Sequence, residues 1–224
     1  MIVGSIATLT PLAAGAACDF ANLHGPNQYD YRFQRNLLVV VERRHFTPKV
    51  ELLISGESTS HPGPDIAYTL SKSPNHHRAL NAVAALGRKL SVGQVPEMAY
   101  SVDCYFERAL RFQSDDTVAR MFYAQHLGQT GRTAEAAHQL ELTARHAKSN
   151  PFTHYNIGLV ALEIKDFDLA LKHAHIAYGM GVPKPELREM LLKAGKWAEP
   201  LAAAATASDQ VMPLSGAASS SGSR

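Results

Sequence analysis

Eleven histidines in a chain of 224 residues make metal binding the first chemistry to consider. The closest of them are the pairs His76-His77 and His173 with His175. Two ligands on one helix face need a spacing of three or four residues, because neighbours at one or two residues point to different sides. No two His or Cys residues in the chain have that spacing. The sequence therefore predicts neither a metal site nor a cofactor.

The residue patterns of other common catalytic sites are also missing. Asp115 and Asp116 lie at a predicted turn, where we interpret them as helix caps or solvated turn groups. Ser55 and Ser215 are each followed by glycine but lack the glycine two places earlier that a nucleophile elbow requires. The chain contains no glycine-rich phosphate loop. These observations predict a protein that is not an enzyme.

The chain has two cysteines, Cys18 and Cys104, and an even number favours a disulfide in an oxidising compartment. A bridge between them would close a loop of about 87 residues and stabilise the fold by a few kcal/mol. The alternative is that Cys104 is a small core residue and Cys18 is a free thiol. We favour the bridge.

Composition excludes several partners. The 22 basic and 20 acidic residues give a net charge of +2, far from the basic excess that would neutralise nucleic-acid phosphates. The body of the chain has no uncharged apolar run of about 18 to 20 residues, so we expect no membrane span in the mature chain. The sequence therefore predicts neither a nucleic-acid-binding protein nor an integral membrane protein.

Residues 1–17 resemble a secretory signal peptide. The segment is uncharged, mostly apolar and ends in small residues, with cleavage expected after Ala16 or Ala17. The first Lys or Arg is Arg32, so the basic start of a signal peptide is missing, and an apolar leader that is not cleaved is the alternative. Gly15 stands where a lipoprotein signal needs an aliphatic residue, so a lipid anchor at Cys18 is the lesser alternative. We expect a periplasmic or secreted protein of a bacterial envelope.

The elements that would position any site are helices. Residues 150–182 predict two amphipathic helices joined by a short turn. Shifting the sequence by 34 residues aligns apolar or small residues with one another. The aligned pairs are Ala136 with Ala170, Leu140 with Ala174, Tyr123 with Ile157, and Ala124 with Gly158.

A helix–turn–helix unit repeated every 34 residues resembles the tetratricopeptide repeat (TPR) family. The segments around YDYR, HFTPKVELLISG, DIAYTL and PNHHRAL also resemble a group of exported bacterial TPR proteins of unassigned function. The resemblance implies an all-α, right-handed solenoid of antiparallel helix pairs. It would comprise a leader with a degenerate half-repeat over residues 18–74, repeats plus a capping helix over 75–197, and a disordered Ala/Ser-rich tail over 198–224.

Several local features of this arrangement can be predicted. The run LLVVVE at residues 37–42 favours a helix, and Thr47-Pro48 predicts a capped helix start that continues to Gly56. The second helix of the first repeat is expected over residues 97–112. In the two later turns, Gly131 ends one helix, and Lys165 or Asp166 must adopt any strained backbone. The capping helix is expected to turn apolar residues inward, namely Leu187, Leu191 and Leu192.

The resemblance also implies a binding surface, because stacked first helices of TPR units leave a concave groove. Residues about a third of a turn from the packing stripe would face a ligand. They are Arg78, Asn81 and Arg88 in the first repeat, Met121 and Gln125 in the second, and Phe152, Tyr155 and Leu159 in the third. The paired Lys and Asn residues that hold a peptide's terminal carboxylate in this family are not found. The alternative is that the three residues of the third repeat pack against the leader or a neighbouring repeat.

Two classes of function follow. The first is a non-enzymatic scaffold that binds an unidentified protein or peptide in the groove. The bound segment is expected to carry apolar anchor residues and some acidic residues. The second is an enzyme or metal-binding protein that uses the helices as support. Polar residues that converge in a pocket would favour the second class.

Overall fold

The structure is a computed structural model that describes residues 18–200. All regular elements of this part of the chain are helices, and it contains no strand, so the predicted all-α class is confirmed. The expected signal peptide over residues 1–17 and most of the expected tail, residues 201–224, lie outside the described residues.

The chain divides into two compact units, residues 1–148 (unit 1) and residues 149–224 (unit 2). A 3₁₀ helix at Arg35–Leu38 opens the helical part of unit 1. The α-helices of unit 1 are α1 Val39–His45, α2 Pro48–Glu51, α3 Gly63–Lys72, α4 His77–Leu90, α5 Val102–Phe112, α6 Thr117–Gln129 and α7 Thr133–Ala147. Those of unit 2 are α8 Pro151–Glu163, α9 Phe167–Gly179 and α10 Glu186–Lys193.

Side-chain caps determine where most of the longer helices begin. Ser101, Asp116, Asn150 and Asp166 each accept a backbone N–H from the first turn of the helix that follows. These are residue types that satisfy the otherwise unpaired N–H groups of a helix start. Each capping bond joins residues two or three positions apart, so the sequence alone can indicate where these helices begin.

Two predicted boundaries were wrong. α2 ends at Glu51 instead of continuing to Gly56, because Leu53 adopts φ 57°, in the left-handed region. Thr47 does not cap α2, since its hydroxyl donates to Glu57 Oε1 at 2.6 Å. α5 begins at Val102 rather than at residue 97, so the loop before it is five residues longer than expected. The run LLVVVE is helical, as predicted.

The two turns have the left-handed backbone at residues that the sequence predicted. Gly131 has φ 82° between α6 and α7, and Lys165 has φ 64° between α8 and α9. Glycine enters this region without strain, whereas lysine does so only because the surrounding helices fix the turn.

The core of unit 1 is formed by fully buried aliphatic and aromatic side chains of α4 to α7. Phe106, Leu80, Leu127 and Leu140 have 1 % or less of their surface exposed. At the margin of this core Cys18 and Cys104 form a disulfide, with Cα atoms 5.3 Å apart. The predicted bridge is therefore confirmed, and it ties the leader to α5.

A buried polar group, here called the Asn75 junction, joins three distant segments of unit 1. Asn75 Nδ2 donates to Asp30 Oδ1 and to Asp116 Oδ2, each at 2.8 Å, and its Oδ1 accepts the Tyr31 backbone N–H at 3.0 Å. His77 Nε2 lies 2.9 Å from Asp116 Oδ2. Burial opposes ionisation of Asp116, but these hydrogen bonds hold its pKa below the ordinary value. The junction thus fixes the leader, the start of α4 and the start of α6 together.

Unit 2 is a hairpin of α8 and α9 against which α10 packs. Leu187 and Leu191 are fully buried, as predicted, but Leu192 is 54 % exposed and does not belong to the packing face. Gly158 permits the approach of α10, because a Cβ at this position would lie 2.5 Å from Leu187 Cδ2. The small residue of the repeat pattern therefore has a packing role within this unit.

Candidate binding cleft

Unit 1 contains a cleft of about 810 Å³ between the ends of α4 and α6 and the start of α5. We call it the Arg88 cleft. Its lining comes from three stretches of the sequence, residues 87–94, 101–103 and 126–132, which only the fold brings together. The lining residues are Gly87, Arg88, Ser91, Val92, Gly93, Gln94, Ser101, Val102, Asp103, His126, Thr130 and Arg132.

The end of α4 shapes one wall of the cleft. Ser91 terminates the helix with φ 57°, which turns the chain into the loop. Val102 N–H then donates to Gly93 O at 2.9 Å, which anchors this loop to the start of α5. A Cβ on Gly87 would lie 2.8 Å from Val102 Cγ2, so glycine is what allows α4 and α5 to close on each other here.

The opposite wall carries a charged triad. Asp103 Oδ1 lies 3.0 Å from His126 Nε2, and Asp103 Oδ2 accepts from Arg132 Nη1. Arg132 is shared with Glu135 at 2.9 Å. Burial opposes ionisation of Asp103, yet the hydrogen bonds from His126 and Arg132 hold its pKa below the ordinary value. Asp103 is therefore an ionised, fully partnered carboxylate.

His126 is fixed rather than free to react. Because Asp103 is ionised, His126 Nε2 donates to it, and the ring stacks on Phe106 with centroids 5.5 Å apart. His126 Nδ1 is buried and has no hydrogen-bond partner among residues 18–200. A nitrogen without solvent access cannot take a proton from a molecule in the cleft. The triad therefore has the residue types of an acid–base site but not the access.

Arg88 supplies the charge that remains available. Its side chain is exposed at the cleft and forms no ion pair among residues 18–200. Asp103, the nearest carboxylate in the cleft lining, is bonded to His126 and Arg132 and not to Arg88. Val92 and Val102 provide apolar wall nearby. The cleft thus offers an unpaired guanidinium beside apolar surface, which suits a carboxylate next to an aliphatic or aromatic group.

The other predicted groove residues of unit 1 differ in their availability. Asn81 is exposed on α4. Arg78 is exposed but already paired, with its Nε donating to Glu51 Oε1 at 2.8 Å. Met121 is only 8 % exposed and packs in the core, and Gln125 is half-buried. Within this unit, Asn81 and Arg88 are the residues best placed to meet a ligand.

The three predicted groove residues of unit 2 also differ in their exposure to solvent. Phe152 is 48 % exposed, and Leu159 is half-buried. Tyr155 is 3 % exposed and donates its hydroxyl to Glu186 Oε2 at 2.9 Å. Burial, together with this carboxylate, raises the pKa of Tyr155 to about 12. Tyr155 therefore holds α8 against the start of α10, and Phe152 is the aromatic residue of the three that faces solvent.

The neighbouring histidines have separate roles, as their spacing predicted. His76 Nε2 contacts Glu42 at 2.9 Å, whereas His77 contacts Asp116. A pair that the sequence did not indicate lies in unit 2, where His154 Nδ1 and His173 Nδ1 are 2.9 Å apart. In the described part of the chain, no three His, Cys, Asp or Glu side chains are placed to hold a metal ion.

Sequence reasoning missed the Asp103–His126–Arg132 triad. Its members are 23 and 29 residues from Asp103, and no local spacing relates them. No signal for Asp103 was available, because the helix predicted over residues 97–112 places it in the interior, whereas α5 begins at Val102 and puts Asp103 in its first turn. Comparison of the chain with protein-family models, with curated proteins and with solved structures finds no match.

Proposed function

We propose that this chain is a non-enzymatic protein-interaction module of the TPR type, which binds a segment of another, unidentified protein. The binding segment is extended or helical, carries a carboxylate and presents apolar side chains beside it. Arg88 meets the carboxylate, and the apolar walls of the Arg88 cleft meet its neighbours.

The repeat assignment is supported by the register of two helix pairs. α6 begins at Thr117 and α8 at Pro151, and α7 begins at Thr133 and α9 at Phe167. Both intervals are 34 residues, the length of a TPR unit. The eight residues aligned by this shift are all buried, so the same positions form the packing stripe in both hairpins.

The observation that carries the binding proposal is the guanidinium of Arg88, which has no ion-pair partner in residues 18–200 and lies at a cleft of about 810 Å³. An arginine without a counterion, next to apolar surface, is the kind of group that contributes strongly at protein interfaces. The neighbouring charges do not compete for the ligand, because Asp103 and Arg132 are bonded to each other.

We also propose an oxidising compartment, periplasmic or extracellular, for the mature protein. The Cys18–Cys104 disulfide supports this location, since such bonds persist mainly in exported proteins. None of the helices in residues 18–200 is long and apolar enough to cross a membrane.

Site-specific photo-crosslinking tests the binding proposal. A benzoylphenylalanine in place of Val92, which is 39 % exposed in the cleft, should capture a partner from the native envelope fraction. The same probe in place of His138, exposed on α7, is the matched control and should not. Mass spectrometry of the crosslinked product identifies the partner and the segment bound.

The affinity of that partner then tests the role of Arg88. Arg88→Ala should weaken binding about tenfold or more, because a hydrogen bond to a charged group contributes roughly 1.5–3 kcal/mol. Arg145→Ala, which removes an exposed arginine of α7, should leave the affinity unchanged. Equal affinities for the two variants would refute the cleft as the site. Tyr155 is unsuitable as a probe, since its removal disturbs the packing of unit 2.

The alternative class, an enzyme, draws its support from the Asp103–His126 pair in the cleft. It requires His126 Nδ1 to reach a substrate, whereas this atom is buried. Diethylpyrocarbonate, which modifies accessible imidazole nitrogens, distinguishes the two. We expect His126 to remain unmodified while exposed His138 reacts, and rapid modification of His126 in the folded protein would favour the enzyme.

A further inference from the structure

The outer face of the first helical segment has an unusual composition for a surface helix. None of the seven residues of α1 is buried, although three of them are valines. Val39 and Val40 are 56 % and 60 % exposed, and Leu37 in the preceding 3₁₀ turn is 48 % exposed. Leu38, which is fully buried, is the residue that attaches this segment to the core. An amphipathic helix normally turns its aliphatic residues inward.

Arginines stand between these aliphatic residues. Val39 and Arg43 are four residues apart, as are Val40 and Arg44, so each valine has an arginine one turn along the same face. Arg43 and Arg44 are exposed and form no ion pair with any residue in the described part of the chain. The carboxylate of α1, Glu42, is turned away from them towards His76 and Arg78.

A third guanidinium lies at the start of the segment. Arg35 lies over the ring of Tyr31, 4.4 Å from its centroid, and donates to the Tyr31 carbonyl at 3.2 Å. It has no carboxylate partner among residues 18–200 either. The segment therefore presents uncompensated positive charge together with exposed aliphatic surface.

The size of this face decides between two kinds of partner. The five side chains of this face, each about half exposed, offer on the order of 400 Å² of accessible surface, which is about half of one side of a standard protein interface. A stable protein–protein interface needs about 800 Å² on each partner. A lipid surface has no such minimum, because a few aliphatic side chains enter the acyl boundary while guanidinium groups meet phosphates.

We propose that the face formed by Leu37, Val39, Val40, Arg43 and Arg44 adsorbs reversibly to an anionic lipid surface. We call it the α1 face. The aliphatic side chains lie at the headgroup boundary, and the arginines contact lipid phosphates. The binding is peripheral and sensitive to salt, since part of it is electrostatic. It is independent of the Arg88 cleft, which is formed by other elements of unit 1.

Co-sedimentation of the full chain with lipid vesicles tests this proposal. The protein should pellet with vesicles that contain phosphatidylglycerol at low salt, and much less with phosphatidylcholine vesicles or at about 0.5 M salt. Arg43→Glu/Arg44→Glu should weaken partitioning at least about twentyfold, because each arginine contributes about fivefold. Val39→Ser/Val40→Ser, which keeps the charge, should weaken it about tenfold.

A charge-matched variant provides the control. Arg145→Glu/Lys148→Glu reverses two exposed basic residues elsewhere in unit 1 and should bind vesicles nearly as well as the parent chain. All variants are prepared with the same N-terminus as the parent, so differences among them report on the α1 face. Circular dichroism and the intact disulfide establish that each variant is folded.

Three results would overturn the proposal. The parent chain could fail to pellet with anionic vesicles at low salt. The two charge-reversed variants could bind equally well. The serine variant could bind as tightly as the parent, which would show that the aliphatic side chains do not contribute and that only non-specific electrostatic attraction is involved. Retention of the parent on an acidic polypeptide matrix without vesicle binding would assign the face to a protein partner instead.

Discussion

Acidification should destabilise unit 1 through His76, a fully buried histidine at the start of α4. His76 Nδ1 accepts the Ala79 backbone N–H at 3.1 Å, so it must be unprotonated, while Nε2 donates to Glu42. Burial, assisted by the nearby charge of Arg78, lowers the pKa of His76 to about 3. The folded state therefore holds this imidazole neutral at any pH near physiological values.

The sign and size of the effect follow from linkage. The unfolded chain binds a proton at His76 below pH about 6.5, whereas the folded chain does not until pH about 3. The contribution of neutral His76 to the free energy of unfolding is therefore fully present above pH 6.5 and is lost as the pH falls towards 3. Between pH 7 and pH 5 the loss is about 2 kcal/mol. The same figure holds for any folded pKa below about 4, because titration of the unfolded chain determines it.

The variant His76→Asn isolates the pH-dependent contribution of His76 to the free energy of unfolding. Asparagine also caps helices but does not titrate in this range, so the variant should lose about 2 kcal/mol less than the parent between pH 7 and pH 5. His138→Asn is the matched control, because it makes the same substitution at an exposed position of α7. This control should show the same pH dependence as the parent.

The measurement is urea denaturation at constant ionic strength, followed by circular dichroism at 222 nm at pH 5, 6 and 7. The chain has one tryptophan, Trp197, which lies in unit 2, so its fluorescence reports on that unit and separates the two transitions. If the parent and His76→Asn lose the same free energy of unfolding between pH 7 and pH 5, His76 is not held neutral in the fold.

Three further predictions concern stability. Cys18→Ser/Cys104→Ser should lower the free energy of unfolding of unit 1 by roughly 2–4 kcal/mol, measured by urea denaturation, because the disulfide restricts the unfolded chain. Asn75→Ala should lower it by about 3 kcal/mol or more, since several buried partners of its amide lose their hydrogen bonds together. Gly158→Ala should destabilise unit 2 by roughly 1–3 kcal/mol in a fluorescence-detected denaturation, because the new methyl group meets Leu187.

Each of these predictions has a matched control. Reduction of the parent chain should reproduce the effect of the double serine variant, and equal stability with and without reductant would contradict the argument. Asn81→Ala, at an exposed position of α4, should change stability by less than about 0.5 kcal/mol, and a similar loss for Asn75 and Asn81 would refute the role of the junction. Gly179→Ala meets no atom within 4 Å, so it should be neutral or slightly stabilising, in contrast to Gly158→Ala.

The local sequence predicted much of the secondary structure. Caps such as Asp116 and Asn150, and the turn residues Gly131 and Lys165, lie where helices start and end in the structure. These features depend on residues within one helical turn, so neighbouring sequence is sufficient to specify them. The predicted side-chain cap of α2 is an exception, since the Thr47 hydroxyl donates to Glu57, a residue of the following loop.

The candidate site was predicted only in part. Arg88 and Asn81 are exposed, consistent with their position on the predicted outer face of α4. Met121 and Tyr155 occupy the same helical phase in their own helices but are covered by neighbouring elements. Periodicity gives the angle of a side chain around its helix, but it does not say which other helix lies beside that angle.

The sequence by itself determined the all-α class, the 34-residue interval of two helix pairs and the chemical possibility of the single disulfide. The tertiary structure alone decided that Cys18 lies within bonding distance of Cys104, that Asp103, His126 and Arg132 converge on one cleft, and that Arg88 forms no ion pair within the described part of the chain. Helix formation depends on contacts three and four residues apart, which the sequence displays directly. A cleft depends on contacts between residues tens of positions apart, and these exist only after the helices have packed.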